Sequence, residues 1–277
     1  MRLIRYIWRG KAKDMKIGCI GVGKIVGAIV EGLCTSTASG GRTNIPGDAP
    51  EIFLSPRNAE KSTALAEKYA AVTRLESNQA VLDHSDIVII ALRPAVAMEI
   101  LSGLRFDRRH VIVSLIPLLK YADLLAAVAP AGEVSRAIPL PSVMHHNCPI
   151  PLFGAGEAVV KLFSRIGQPL PVADERQLHA LWTLTGLITP FYEQLGALSE
   201  WATAHGVDRT TGDIYIADMF ESLSYMAQQS APIDFSELAQ HAATPNGMNE
   251  QAGREIRDSG AHHAWISAAD HLLQRFK

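Results

Sequence analysis

The stretch Met15-Lys16-Ile17-Gly18-Cys19-Ile20-Gly21-Val22-Gly23-Lys24-Ile25-Val26-Gly27 decides the fold. A short apolar run ends at Gly21, and an apolar helical pattern starts immediately after Gly23. Gly21 permits a tight turn, and Gly23 lets the backbone approach a pyrophosphate seated on the N–H groups of a helix N-terminus. The third glycine of a G-x-G-x-x-G loop is replaced by Val26, with Gly27 one residue late, so the loop alone is a weak signal. Its position after the first strand of an alternating pattern makes Gly21, Val22, Gly23, Lys24 and Ile25 candidate dinucleotide contacts. The alternative is a strand-to-helix turn with no ligand.

Working outward, short runs rich in Ile and Val recur at residues 16–20, 51–54, 86–91, 110–114 and 134–137. Between them, residues 24–33, 59–69, 96–104 and 122–128 carry apolar positions at helical spacing. Nearly continuous apolar strands separated by helices predict a parallel sheet covered on both faces. Residues 35–50, crowded with Gly, Ser, Thr and Pro, read as a loop. Past the proline-rich segment 139–151 and a βαβ-like piece at 155–172, strand signals stop. Helical patterns follow at 175–184, 191–205, 213–229 and 262–276. The expected fold is α/β, a Rossmann-type doubly wound parallel sheet followed by an all-helical C-terminal domain. The expected division is a tail at 1–14, a nucleotide domain at 15–173 and a helical domain at 174–277, the natural place for oligomer contacts.

The chain has 277 residues, of which 48% are hydrophobic and 19% charged, enough to bury a substantial core. A formal charge of −2 offers no net basic field, which argues against nucleic acid as a partner. Cys19, Cys34 and Cys148 have no metal-ligand spacing and suit a reducing cytoplasm. The pairs His145-His146 and His262-His263 stand side by side without a third ligand, so no metal is expected. No apolar run is long enough to span a bilayer. Residues 1–14 carry Arg2, Arg5, Arg9, Lys11 and Lys13 without an apolar core, which argues against a secretory signal; Met15, directly before the first strand, reads as an alternative start.

The end of the second strand discriminates between nicotinamide cofactors, because an acid there would bond a ribose 2′-OH and repel a 2′-phosphate. The sequence is Leu54-Ser55-Pro56-Arg57-Asn58, with no acid. Ser55 and Asn58 can donate hydrogen bonds and Arg57 can fork to phosphate, which favours NADP. Arg57 also reads as a solvated residue at a helix start. After the third strand, Ala91-Leu92-Arg93-Pro94 falls at the edge where parallel sheets bind ligands, although Pro94 is also simply a good first helical residue.

With Gly21-Val22-Gly23, Leu92-Arg93-Pro94, Arg136-Ala137-Ile138-Pro139 and Thr244-Pro245-Asn246-Gly247 in this order, the chain resembles the pyrroline-5-carboxylate reductases. The resemblance implies NADPH bound to a Rossmann-type domain, an interlocked dimer built by the helical domain, and hydride transfer to the C=N carbon of a cyclic imino acid to give proline. It places Leu92-Arg93-Pro94 on the family's V-K-P element. The later motifs depart from the pattern. Leu140 stands where the family has an Asn, and Thr185 to Tyr192 matches the family's S-G-S-G-P-A-Y only loosely. The carboxylate-clamping S-P-G-G-x-T segment becomes Thr244-Pro245-Asn246-Gly247-Met248-Asn249.

On this resemblance, NADPH lies across the carboxyl edge of the sheet with its nicotinamide near Arg93, Pro94 and Ser114. Thr244 and Asn249, from a dimer partner, take the catalytic positions, while Asn246, Gly247, Met248 and Leu140 contact a small-molecule substrate. A protonated C=N bond is already polarised, so orientation, a carboxylate clamp and a proton through water suffice. The alternatives are a non-catalytic NADP-binding sensor, an NADP-dependent dehydrogenase of another small substrate, and an NADP reductase of a deazaflavin, for which so long a helical domain is not expected.

Overall fold

A computed structural model describes residues 15–36 and 49–276. The tail at 1–14 and most of the loop at 35–50 lie outside these residues. The chain forms two compact units that meet in sequence between His179 and Ala180.

The first unit is built on an eight-stranded sheet. In chain order its elements are β1 (Lys16–Ile20), α1 (Lys24–Thr35), β2 (Glu51–Leu54), α2 (Ala59–Lys68), β3 (Val72–Arg74), α3 (Asn78–His84), β4 (Ile87–Ile90), α4 (Pro94–Ser102), β5 (Val111–Ser114), α5 (Tyr121–Ala127), β6 (Glu133–Ala137), β7 (Pro149–Phe153), α6 (Glu157–Ser164), β8 (Gln168–Pro171) and α7 (Glu175–Leu184), the last of which spans the unit division. The strand order is β3-β2-β1-β4-β5-β6-β7-β8. From β1 the chain builds outward through β2 and β3, then returns to lay β4 on the other side of β1. That reversal is the point where open α/β sheets hold their ligands.

β4 shows why the sheet is covered twice. All four residues of its Ile-Val-Ile-Ile run are buried, and successive side chains point to opposite faces. Ile87 and Ile89 join Ile17, Val26, Leu33 and Phe163 in one apolar cluster. Val88 and Ile90 join Ile20, Leu82, Leu101 and Leu124 in the other.

Two expectations are corrected. The sheet is mixed, because β7 runs antiparallel to β6. The βαβ piece also begins earlier than residue 155: β7 occupies Pro149–Phe153, inside the proline-rich segment, and pairs in parallel with β8. The patterning also missed β3 and α3, both too short to show a period.

His110 is buried beside this sheet. Its Nδ1 accepts the Asp107 N–H at 2.9 Å and its Nε2 donates to the Leu82 carbonyl at 3.1 Å, an arrangement only the neutral ring can satisfy. Burial first, then the Arg109 charge, holds its pKa below 6.5. Such a group contributes stability that is complete above the unfolded value and is lost as pH falls below it, because the unfolded chain takes up the proton first. The urea midpoint is expected to fall with acidification below pH 6.5, and to fall less steeply in His110→Gln; parallel wild-type and variant curves would show that His110 carries none of the slope.

The second unit is helical: α8 (Ile188–Ala204), α9 (Arg209–Gln229), α10 (Phe235–Ala242), α11 (Met248–Asp258) and α12 (Ala261–Leu273). Asp208 and Asp234 cap α9 and α10 by accepting N–H groups of their first turns. Large apolar side chains remain uncovered in the single chain, among them Trp201, Tyr215, Leu223, Met226 and Phe235.

Candidate functional site

The loop after β1 is held open by three contacts. Gly21 has φ +94°, and a Cβ there would lie 2.6 Å from the Ala91 carbonyl oxygen, so the ends of β1 and β4 meet with no room for a side chain. Its N–H donates to Ser55 Oγ at 3.0 Å. The Asn58 amide donates to the Val22 carbonyl at 2.8 Å from an Asn58 backbone at φ 64°. Ser55 and Asn58, expected to meet a 2′-phosphate, therefore fasten the turn after β2 to the glycine loop.

Gly23 is different. A Cβ on it would meet no atom of the described residues within 4 Å. Packing does not require a glycine there; its absence of side chain leaves the backbone open toward solvent. As N-cap of α1 it supplies no capping side chain, and the first turn holds no acid. An uncapped, acid-free helix start behind an open backbone fits a pyrophosphate. Lys24 is exposed and Ile25 half-buried, while the Val22 side chain is buried in the core, leaving only its backbone for a ligand.

Across the reversal, Ala91, Leu92, Arg93 and Pro94 follow β4, with Arg93 at the N-cap and Pro94 at the start of α4. Arg93 and Pro94 are exposed, whereas Leu92 is buried in the second cluster. Ser114 ends β5 at this edge, but it is fully buried and its hydroxyl accepts the Ile116 N–H at 3.3 Å. Leu140 is half-buried against the first core cluster, and its N–H donates to Cys148 Sγ at 3.2 Å.

Behind β5 lies a buried charge cluster. Arg136, paired in register with Ser114, is fully buried; it forms an ion pair with Glu175 and donates from Nη2 to the Ile116 carbonyl at 2.9 Å. Glu175 also accepts the Tyr121 N–H at 3.1 Å. His179 Nε2 stands 3.3 Å from Arg136 Nη1, and burial first, with the Arg136 charge opposing Glu175, keeps the ring below its ordinary pKa. The cluster ties the segments that follow β5 to the start of α7.

Patterning also missed Arg74. It lies opposite Leu54 in the parallel register of β2 and β3, which carries it to the turn holding Arg57. Only recognition of residues 72–74 as a strand could have placed it there.

In the second unit, Thr244, Pro245, Asn246 and Gly247 form a turn ahead of α11. The Gly247 N–H donates to the Thr244 carbonyl at 2.8 Å and Asn246 has φ 59°, as a type II turn with Pro at its first corner requires. The Asn246 N–H donates to the Glu250 carboxylate at 2.8 Å, so this turn already holds an anion. Asn249, expected as a catalytic group, directs its amide to the Ala242 carbonyl at the end of α10, 3.0 Å away. Thr244 remains exposed, and Met248 is 87% exposed in the single chain.

Comparison with known proteins gives this geometry a relationship. Residues 16–117 match the family model described as NADP oxidoreductase coenzyme F420-dependent, and residues 175–277 match the model for pyrroline-5-carboxylate reductase dimerisation. A pyrroline-5-carboxylate reductase of Corynebacterium melassecola is 26% identical over 281 residues, covering 94% of this chain and 96% of its own. The chain is similar to pyrroline-5-carboxylate reductases over nearly its whole length, at modest identity. Two solved structures of such reductases share the fold. The enzyme of Streptococcus pyogenes has a TM-score of 0.79 at 21% identity, covering 95% of this chain and 98% of its own. That of Plasmodium falciparum, solved with NADP bound, has a TM-score of 0.77 at 14% identity, covering 96% and 98%. Among the described residues no helix is long and apolar enough to cross a membrane, and no three His, Cys, Asp or Glu gather as metal ligands.

Proposed function

We propose that this chain is a cytoplasmic NADPH-dependent reductase of the C=N bond of a small cyclic imino acid, assembled as a homodimer or larger homo-oligomer through its helical unit. The observation that carries the reading is the full-length relationship to reductases of this class, with the helical half matching their dimerisation model. A sensor or a deazaflavin reductase would need only the first half. The apolar side chains left uncovered on α8 and α9 are what such an assembly would bury.

NADPH, when bound, supplies the hydride. The open backbone at Gly23 and the start of α1 would hold its pyrophosphate, and Arg93 and Pro94 would flank its nicotinamide end. Contributed by a second copy of this chain, the Thr244 hydroxyl and the backbone of the turn through Gly247 would orient the imine. Because the Asn246 N–H is occupied by Glu250, a substrate carboxylate docking there must displace that side chain. A protonated imine needs no strong acid, which suits a site whose Asn249 amide is engaged elsewhere.

A panel of cyclic and linear imines, with and without a carboxylate, assayed by NADPH oxidation tests this directly. Turnover on the order of 10 s−1 is expected for a five-membered cyclic imino acid, with carbonyl compounds of the same size at least about tenfold poorer in kcat/KM. Reaction with carbonyl compounds alone would overturn the assignment, and tight NADPH binding without turnover of any imine would favour the sensor.

A further inference from the structure

Ser55 Oγ and one Asn58 N–H are engaged with the glycine loop, which leaves Arg57 and Arg74 as the cationic groups at this end of the sheet that can meet a 2′-phosphate. Arg57 is exposed and makes no ion pair or hydrogen bond among the described residues. Arg74 is also exposed, but its guanidinium is already fixed. Nε donates to Ser62 Oγ at 3.1 Å and Nη2 donates to the Pro56 carbonyl at 3.4 Å, the residue directly before Arg57. Ser62 is itself fully buried, so the first of these anchors does not move with the surface. A guanidinium carries five donors in a planar fork, and this arrangement leaves Nη1 without a hydrogen-bond partner among the described residues. Glu60, the acid in the first turn of α2, forms an ion pair with neither arginine among the described residues.

We infer that Arg74 is a second specificity-determining residue, forming with Arg57 a two-arginine clamp for the 2′-phosphate of NADPH. This rests on the NADPH reading of the site. The two arginines differ in how they are held: Arg57 sits on the turn, while Arg74 reaches the turn from the neighbouring strand and is oriented before ligand arrives. A preoriented fork loses less freedom on binding than a free one, so Arg74 contributes to selectivity although it lies outside the turn that follows β2.

The test is equilibrium binding, which needs no turnover: titration of NADPH and NADH against wild type, Arg74→Gln, Arg74→Lys and Arg57→Gln, followed by nucleotide fluorescence. Arg74→Gln is expected to weaken NADPH about tenfold and to leave NADH within about twofold. Arg74→Lys should fall between, since it keeps the charge and loses the fork. The selectivity of the wild type should decline as salt rises, and more steeply than that of Arg74→Gln. Equal losses for NADPH and NADH in Arg74→Gln would assign Arg74 to support of α2 through Ser62 and overturn the inference. A selective wild type with an unaffected Arg74→Gln would overturn it alone; a wild type indifferent to the 2′-phosphate would overturn it together with the NADPH reading.

Discussion

Glu175→Ala is expected to destabilise the sheet unit by about 3 kcal/mol, the lower end of the cost of stripping one partner from a buried ion pair. Arg136 is fully buried and cannot lose its proton at neutral pH, so removal of Glu175 leaves a cation away from water. The Ile116 carbonyl remains, but a neutral acceptor offsets only part of that charge. His179 cannot substitute, since its Nε2 faces the guanidinium as an acceptor and carries no negative charge. The lower end of the range applies because the Glu175 side chain is 30% exposed and water can partly enter its place. The Tyr121 N–H loses its acceptor in the same step. Glu175→Gln should fall between wild type and Glu175→Ala, retaining an oxygen for Tyr121 without the charge. Urea denaturation of the three proteins measures this; a loss under about 1 kcal/mol in Glu175→Ala would mean that solvent already screens the pair.

The second large effect separates two glycines only two positions apart. Gly21→Ala is expected to cost about 2–4 kcal/mol, combining a left-handed backbone on an L residue with a methyl forced against the Ala91 carbonyl. Loss of cofactor binding should follow from the displaced loop. Gly23→Ala should instead cost no more than about 1 kcal/mol, the preference for glycine over alanine at an N-cap, since its methyl meets no atom of the described residues and φ is an ordinary −93°. That methyl would stand where a pyrophosphate must approach, so NADPH and NADH should both weaken, by at least about tenfold. Thermal melts beside nucleotide titrations distinguish the two. Unchanged nucleotide affinity in a stable Gly23→Ala protein would remove the pyrophosphate from this loop.

The first half of the sheet was legible because its signals are local. Gly21 and Gly23 punctuate β1 and α1, and the Ile and Val run of β4 is buried on both faces, so sequence and environment agree. β7 was not legible, because Pro149 and Pro151 lack the N–H a strand normally offers. They are tolerated where the strand is asked for acceptors: the Pro151 carbonyl receives the Ile138 N–H, while β8, with Pro169 and Pro171, lies at the sheet edge. α11 escaped for the opposite reason. Its sequence, Met-Asn-Glu-Gln-Ala-Gly-Arg-Glu-Ile-Arg-Asp, carries only a thin apolar stripe, Met248, Ala252 and Ile256, in an otherwise polar run.

At the candidate site, positions were more legible than roles. The residues named at the ends of β1, β2 and β4 do reach the carboxyl edge, but polarity alone did not distinguish a side chain that meets a ligand from one that fastens the loop. Ser55 and Asn58 do the latter, and Asn249 is drawn to a helix end. Arg74 depends on strand register, a long-range property that composition around residue 74 does not carry.

β1 divides the carboxyl edge into two territories. To one side stand β2 and β3 with Arg57 and Arg74; to the other stand β4 and β5 with Arg93 and Pro94. The strands on one side share no backbone ladder with those on the other except through β1. If the two arginines hold the 2′-phosphate as proposed, such partition would let descendants of this chain exchange one nicotinamide donor for another at β2 and β3, with the residues after β4 and β5 inherited untouched.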